Sequence, residues 1–361
     1  MKKHEREFFF TATLMKWHKK YNKREMPWKG EKDPYKIWLS EIILQQTRVE
    51  QGLQYYNRFI KSYPNVLALA AAPDNEVFKL WEGLGYYNRC KNLLHAARYI
   101  VAELDGKFPE SFEELLALKG VGNYTASAVA SFAYNLPHAV VDGNVNRVLA
   151  RYFGLATPID STGGKQLFAN LASKLLDAKR SAQYNQAIMD FGATICKPQL
   201  PLCESCLLQD QCTAYQQDRV QELPVKEKKI AKIHRWFYYI IAEKNNSYLV
   251  RKRTGKDIWQ NLHEFFLIEA NHHSNTEAIL ESAAFKEMGG DKYKLLTVSG
   301  VYKQQLTHQT IHAIFIGIKM KHSRVPEGMQ LIPKDELQKL AFPRLINTFL
   351  EQEYSLQTVP V

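Results

Sequence analysis

No run in the 361-residue sequence approaches the roughly 20 apolar residues that a membrane span requires. The basic start (Lys2, Lys3, Arg6) is followed by the short apolar run Phe8–Phe10, but by no cleavage site of the secretory kind. Internal repeats and low-complexity tracts are also absent, which excludes solenoids and disordered tails. Apolar residues make up 45% and charged residues 24%, the balance of a folded chain. The length suffices for two domains with separate cores. These features imply a soluble intracellular protein, expected in the cytoplasm.

Cysteine is scarce, and its placement is uneven. Of five cysteines, Cys90 stands alone within an expected helix and reads as a buried thiol. The other four, Cys196, Cys203, Cys206 and Cys212, form a C-x6-C-x2-C-x5-C run. A reduced intracellular chain seldom uses such crowding for disulfides, so metal is the expected use. Zinc sites more often pair two close C-x-x-C units. All-thiolate ligation with uneven spacing suits a 4Fe–4S cluster better than zinc. The net charge of +11 points to a polyanionic partner, and RNA, DNA or an anionic membrane fits it equally.

From Asp33 to Gly154 the apolar pattern is helical almost throughout, with short connectors Gly83-Leu84-Gly85, Gly120-Val121-Gly122 and Asp142-Gly143-Asn144. Asp33-Pro34 reads as an N-cap followed by proline at the first helical position. Residues 165–176 and 183–192 continue the helical register into the cysteine loop. The stretch 213–232 is polar and basic, a tether or a segment lying against an acidic surface. From Arg235 the period changes to strands: 236–242, a turn at Asn245-Asn246, 248–251, 264–269, 295–299 and 312–318. Helices are expected at 276–288 and 334–352. The chain therefore reads as an all-α unit followed by a small α/β domain.

Three local features carry chemistry. The glycine hairpin at Gly120 and Gly122 leaves bare N–H groups at a helix start, suited to a phosphate; an ordinary helix–helix turn has the same sequence. Glu41 sits three and four residues from Trp38, Leu44 and Ile37. On that apolar flank its carboxyl would hold a proton near neutral pH, whereas most single glutamates lie exposed. Asp142 reads as an N-cap or as an ionised acid facing a cation. Two carboxylates in opposed environments are the usual equipment for breaking a glycosidic bond.

The order of Ser40-Glu41-Ile42-Ile43-Leu44-Gln45-Gln46-Thr47, Gly83-Leu84-Gly85-Tyr86-Tyr87, the glycine hairpin, Val141-Asp142-Gly143-Asn144-Val145 and the four cysteines resembles the helix-hairpin-helix DNA glycosylases. It is most similar to the A/G-mismatch-specific adenine glycosylase (MutY) family, strongly over about residues 20–215. The resemblance implies an all-α helix-hairpin-helix glycosylase core followed by an α/β Nudix-like C-terminal domain. The core would combine a six-helix barrel at about 33–136 with a cluster-bearing unit made of the N-terminal segment and 137–212. A linker at 213–232 and a recognition domain at 233–361 would follow. The cysteine spacing matches this family's 4Fe–4S loop. Glu41 would protonate adenine at N7, and Asp142 would stabilise the deoxyribosyl cation at C1′. Asn144 would hold the acid network or a water, and Tyr124 would assist beside Asp142. Arg24, Met26, Trp28 and Gln186 would wall the adenine pocket; the family usually has leucine at Met26, and some members have glutamate at Gln186. Gln46 and Tyr86 would wedge into the stack, with Thr47, Gly120 and Gly122 also contacting DNA. The partner implied is duplex DNA with adenine opposite 8-oxoguanine or guanine, and a monomer is expected.

At Tyr124 the sibling endonuclease III has the lysine that performs Schiff-base lyase chemistry, so the resemblance implies a monofunctional enzyme here. The C-terminal part resembles the Nudix-like domain of adenine glycosylases. Between Gly255 and Glu269 the glutamate cluster of hydrolytic Nudix enzymes is missing. Leu306-Thr307-His308 matches the family's Phe-Ser-His loop, implying that Thr307 and His308 read 8-oxoguanine. A metal at His308 and His312 is the weaker reading, since no carboxylate or cysteine completes the set. The rivals are an endonuclease III-type lyase and a catalytically silent iron–sulfur DNA-binding protein. Tyr124 and the C-terminal domain oppose the first; the joint presence of Glu41 and Asp142 opposes the second.

Overall fold

The computed structural model describes residues 3–227, 232–288, 292–321 and 325–353. Helices come first: α1 (Lys3–Tyr21), α2 (Pro34–Leu44), α3 (Val49–Ser62), α4 (Val66–Ala71), α5 (Asp74–Trp81) and α6 (Asn88–Glu103). They continue with α7 (Phe112–Ala117), α8 (Asn123–Tyr134), α9 (Gly143–Phe153), α10 (Thr162–Leu175), α11 (Ser181–Thr194) and α12 (Thr213–Gln216). Strands β1 (Ile233–Lys244), β2 (Ser247–Lys252) and β3 (His263–Ala270) follow, then α13 (Thr276–Leu280) and α14 (Ala283–Glu287). The chain closes with β4 (Tyr293–Val298), β5 (Tyr302–Gln305), β6 (Gln309–Met320), β7 (Gln330–Pro333) and α15 (Arg344–Glu353).

Two compact units form. One takes Met1–Ala71 with Asn92–Lys228, the other Ala72–Lys91 with Lys229–Val361. The excursion Ala72–Lys91 falls inside the span expected for the barrel, yet its contacts place it with the sheet.

In the first unit the helix starts are set by local chemistry. Asp33 accepts the Tyr35 N–H at 2.9 Å ahead of Pro34, and Ser111 forms a capping box with Glu114. Helix α2 is buried along most of its length and packs on α3 and α8. Helix α1, where the sequence reading assigned no element, packs on α11 and α10. Its Phe10, Leu14 and Trp17 enter a core with Val148, Leu149, Phe168 and Phe191. A Leu14→Ala change there would cost about 2–5 kcal/mol. The stretch expected as a linker is not free chain along its whole length. Thr213–Gln216 is helical, Ala214 and Leu223 join the same core, and Ile159 N–H bonds to the Val225 carbonyl at 3.0 Å.

In the second unit the strands run in the order β4-β6-β1-β3-β2-β7, with β5 paired to β6. β1 and β6 pair in parallel, and the other pairings are antiparallel. Period-two alternation divides β1 between two faces. Tyr238, Ile240 and Ala242 pack with Ile279, Phe285 and Met288. On the other face Tyr239 stacks on Phe315, and Phe315 on Phe349 of α15. Asn245 and Asn246, at φ 48° and 59°, form the two-residue turn between β1 and β2, a conformation asparagine tolerates. The helix expected at 276–288 is two short helices, because Ser282 caps the second by accepting the Phe285 N–H at 3.2 Å. The helix expected at 334–352 is a 3-10 turn, Lys334–Lys339, and then α15, the break falling just ahead of Pro343.

Candidate active site

In the first unit a cavity of about 470 Å³ opens between the start of the chain, α2, α8, α9 and α11. Its lining includes Arg24, Met26, Trp28, Glu41, Thr47, Tyr124, Asp142, Asn144 and Gln186. The structure thus brings together four expected catalytic residues, four expected pocket residues and Thr47.

Glu41 lies in the middle of α2 and is 7% exposed. Burial is the main cause that pushes its carboxyl up to about 7; nearby Asp142 adds to the rise, and a hydrogen bond from Tyr124 opposes it. Such a group keeps its proton on a large share of molecules at neutral pH and releases it readily. Tyr124, on the first turn of α8, has its phenol pushed well up by burial and by the two carboxylates, so it stays a neutral donor.

Asp142 is the N-cap of α9. Oδ1 accepts the Val145 N–H at 2.7 Å, and Oδ2 accepts the Asn144 Nδ2 amide at 2.7 Å. Burial raises its pKa, while these hydrogen bonds and the charge of Arg147 pull the other way. Asp142 therefore caps α9 and lines the cavity at once, so the two placements are one arrangement, not alternatives. The two carboxylates differ in their donors: one hydrogen bond at Glu41, several and a nearby guanidinium at Asp142.

The wall of the cavity depends on residues that motif reading did not single out. Asp190, its side chain 1% exposed, accepts from Arg24 Nη1 at 2.9 Å and Asn22 Nδ2 at 2.8 Å, and pairs with Lys29 Nζ at 3.2 Å. It fastens the segment bearing Met26 and Trp28, and Trp28 meets Tyr56 edge-on at 5.3 Å. Asn185, 1% exposed, donates to Ser131 Oγ at 2.7 Å and the His138 carbonyl at 2.8 Å, and accepts the Val140 N–H at 3.0 Å. It holds the segment leading to Asp142. Gln45 Nε2 donates to Thr125 Oγ1 at 3.2 Å, tying α2 to α8. A sequence signal existed for one of the missed groups: Arg147 and Arg151 stand one turn apart in an apolar helix, and both are buried.

The glycine hairpin joins α7 to α8. Gly120 has φ 82°, and a Cβ there would lie 2.5 Å from Asn92 Cβ, so no other residue fits without displacement. Gly122 is the N-cap of α8. Gln46, at φ 56°, follows α2 and is not among the residues lining the cavity.

Cys196, Cys203, Cys206 and Cys212 line one small cavity with Arg151, Leu202 and Tyr215, and no disulfide joins them. Arg151 Nη1 donates to Cys196 Sγ at 3.5 Å, and Leu208 N–H to Cys206 Sγ at 3.4 Å. Four thiols converging on one pocket, with N–H donors aimed at sulfur, fit an all-thiolate cluster. Among the described residues no group of three or more Cys, His, Asp or Glu is arranged to hold a single metal ion as it stands.

In the second unit Thr307 and His308 are exposed on the turn between β5 and β6, closed by Leu306 N–H to the Gln309 carbonyl at 2.8 Å. The Tyr86 and Thr307 hydroxyls are hydrogen-bonded to each other. Both border a cavity of about 410 Å³ with Arg89, Trp259 and His308. His312 pairs with His234 at 3.0 Å and stacks on Trp236, which does not favour a joint metal site with His308. Glu264, in the stretch where hydrolytic relatives carry their glutamates, is buried between Arg251 and Arg253. No helix among the described residues is long and apolar enough to cross a membrane.

Comparison with known proteins agrees with this architecture. Residues 39–171 match the model of the HhH-GPD superfamily base excision DNA repair proteins, and residues 237–352 match a NUDIX domain. The adenine DNA glycosylase of Buchnera aphidicola subsp. Baizongia pistaciae is 32% identical over 307 residues, covering 84% of this chain and 84% of the relative. The Mus musculus enzyme of the same name is 42% identical over 59% of this chain and 42% of its own length. A thermostable thymine-DNA glycosylase aligns with TM-score 0.55 and 30% identity, covering 59% of this chain and 98% of that one. Endonuclease III in a non-covalent DNA complex, at 21% identity and TM-score 0.53 over 60% of this chain and 99% of that one, shares the fold. The chain belongs to the adenine DNA glycosylase family.

Proposed function

We propose that this chain is a monofunctional DNA glycosylase of base excision repair that hydrolyses the N-glycosidic bond of adenine opposite 8-oxoguanine or guanine. The observation that carries the reading is Glu41: a buried carboxyl with its pKa near 7, in a cavity that also presents the hydrogen-bonded carboxylate of Asp142. An adenine flipped into this cavity leaves only when its ring accepts a proton. Glu41 donates that proton to N7, and Tyr124 steadies the carboxylate left behind. As the C1′–N9 bond stretches, positive charge develops on the sugar, and the Asp142 carboxylate stabilises it. Asn144 holds Asp142 in place. Arg24, Met26, Trp28 and Gln186 enclose the base.

DNA is held by the Gly120–Gly122 hairpin at a phosphate and by Thr47. Gln46 and Tyr86 wedge into the stack, and Thr307 and His308 read the base opposite. Cys196, Cys203, Cys206 and Cys212 hold a 4Fe–4S cluster, which supplies a structural anchor for the 196–212 loop. The proposed domains are the helical region 1–212, a connecting segment 213–232 whose Ala214 and Leu223 pack on that region, and the recognition domain 233–361, with which Ala72–Lys91 clusters. The enzyme acts as a monomer in the compartment that holds the DNA.

Single-turnover excision on four duplexes differing only in the base opposite adenine tests the reading. Release of adenine opposite 8-oxoguanine and guanine, and little opposite thymine or cytosine, is expected. Equal release from all four, or none, overturns it.

A further inference from the structure

The segment Leu340–Phe342 is fastened to the sheet of the second unit. Ala341 accepts the His263 N–H at 2.8 Å, and Phe342, 1% exposed, stacks on Phe265 with centroids 5.7 Å apart. Its two flanking backbone groups turn to the excursion Ala72–Lys91 of the same unit. Lys79 Nζ donates to the Leu340 carbonyl at 3.0 Å, and Glu82 Oε1 accepts the Phe342 N–H at 2.7 Å. Lys79 and Glu82 pair with each other at 2.7 Å, completing a clasp around the segment. A half-exposed ion pair alone contributes little. The half-buried Phe342 N–H is different, because losing its acceptor leaves a donor unsatisfied.

From Glu82 the chain reaches Tyr86 through a tightly built turn. Gly83, Gly85 and Tyr86 have φ of 88°, 79° and 50°. Trp81 Nε1 donates to the Gly85 carbonyl at 2.9 Å, Gly83 N–H to the Tyr87 hydroxyl at 3.1 Å, and the Arg89 guanidinium lies over the Tyr86 ring at 5.3 Å. At the end of this turn the Tyr86 hydroxyl meets Thr307. The excursion is thus held to the sheet at two points, the clasp and the Tyr86–Thr307 contact, with a stiff turn between them.

We infer that Glu82, together with Lys79, is a positioning residue for reading the base opposite adenine: it clasps Leu340–Phe342 and so holds the Tyr86 ring beside Thr307. The inference rests on the proposed roles of Tyr86 as wedge and Thr307 as lesion reader. Neither Glu82 nor Lys79 lines the cavity that holds Glu41 and Asp142. The clasp therefore bears on which mispair is accepted and not on bond cleavage.

The test is single-turnover excision on A·8-oxoguanine and A·G duplexes at fixed salt, for Glu82→Ala, Thr307→Ala and the double variant. Glu82→Ala should lower the preference for 8-oxoguanine by roughly fivefold, the change that one lost hydrogen bond brings, with a smaller loss on A·G. The double variant should lose little more than the stronger single one, because both act on one contact. Glu82→Gln, which keeps an acceptor for the Phe342 N–H, should retain most of the preference. Preference lost in Thr307→Ala but kept in Glu82→Ala overturns the coupling and spares the lesion reading; preference kept in both overturns both. Equal losses on the two mispairs in Glu82→Ala, or additive losses in the double variant, reduce Glu82 to a support of the fold and overturn the inference.

Discussion

Asn144 and Arg147 share a hydrogen bond, Arg147 Nη2 to Asn144 Oδ1 at 2.8 Å, and each makes further hydrogen bonds to other groups. The Asn144 amide goes to Asp142 Oδ2, while Arg147 goes to the Gly192 carbonyl at 2.7 Å and the Cys196 carbonyl at 2.8 Å. One buried guanidinium therefore connects the proposed catalytic aspartate with the first residue of the cysteine loop. Arg147→Lys keeps the charge but not the planar fork. It should slow excision by about tenfold to a hundredfold through misplacement of Asp142. Mispair affinity and adenine excision, measured on the same preparation, check this: weakened binding with an unchanged excision step would count against the link.

In the proposed mechanism Glu41 acts only while protonated. Its carboxyl is raised from 4.5 to about 7, so single-turnover excision should fall as pH rises through about 7. Glu41→Gln, which has no proton to give, should lose at least ~100-fold and show no such titration. The stability effect has a definite sign. A carboxyl whose folded pKa is raised favours folding most while protonated, and that contribution is lost as pH rises from 4.5 through about 7. Glu41→Gln should therefore melt above the wild type at pH 8, with a smaller difference at pH 5. A wild-type melting temperature above that of Glu41→Gln at pH 8 would refute the buried-acid assignment.

By the resemblance to endonuclease III, Tyr124 stands where an amine would support lyase chemistry, and burial pushes its phenol well up. Excision should leave an intact abasic strand that breaks only on alkali or heat. Borohydride trapping of stoichiometric protein–DNA adduct, with nicking as fast as base release, would favour the lyase instead.

Protein purified without oxygen should be yellow-brown and carry about four irons per chain. Cys203→Ser should lower the iron content and weaken DNA binding, since the 196–212 loop loses its anchor. Stoichiometric zinc without iron in the wild type would contradict the cluster.

Much of the candidate site was legible because its signals are local. The spacing of Cys196, Cys203, Cys206 and Cys212, the glycines at 120 and 122, the Asp142 cap and the Asn245-Asn246 turn each depend on a few neighbouring residues and their φ/ψ preferences. Those preferences act before any tertiary contact forms, so the residue types and their order were enough to place these motifs and many of the helices and strands, though not α1, α12, β5 or β7. The apolar neighbours of Glu41 within α2 likewise pointed to a desolvated acid. Its actual environment depended on α8 and α9, which bring Tyr124 and Asp142 to it across about 80 and 100 residues of sequence. Only the tertiary structure decided that Arg147 and Arg151 lie buried, and that Asp190 gathers Arg24, Lys29 and Asn22. It also decided that the excursion Ala72–Lys91 clusters with the sheet. These outcomes rest on burial and on hydrogen bonds between residues far apart in sequence, and a charged residue in a helix reads the same whether its partner is water or another side chain.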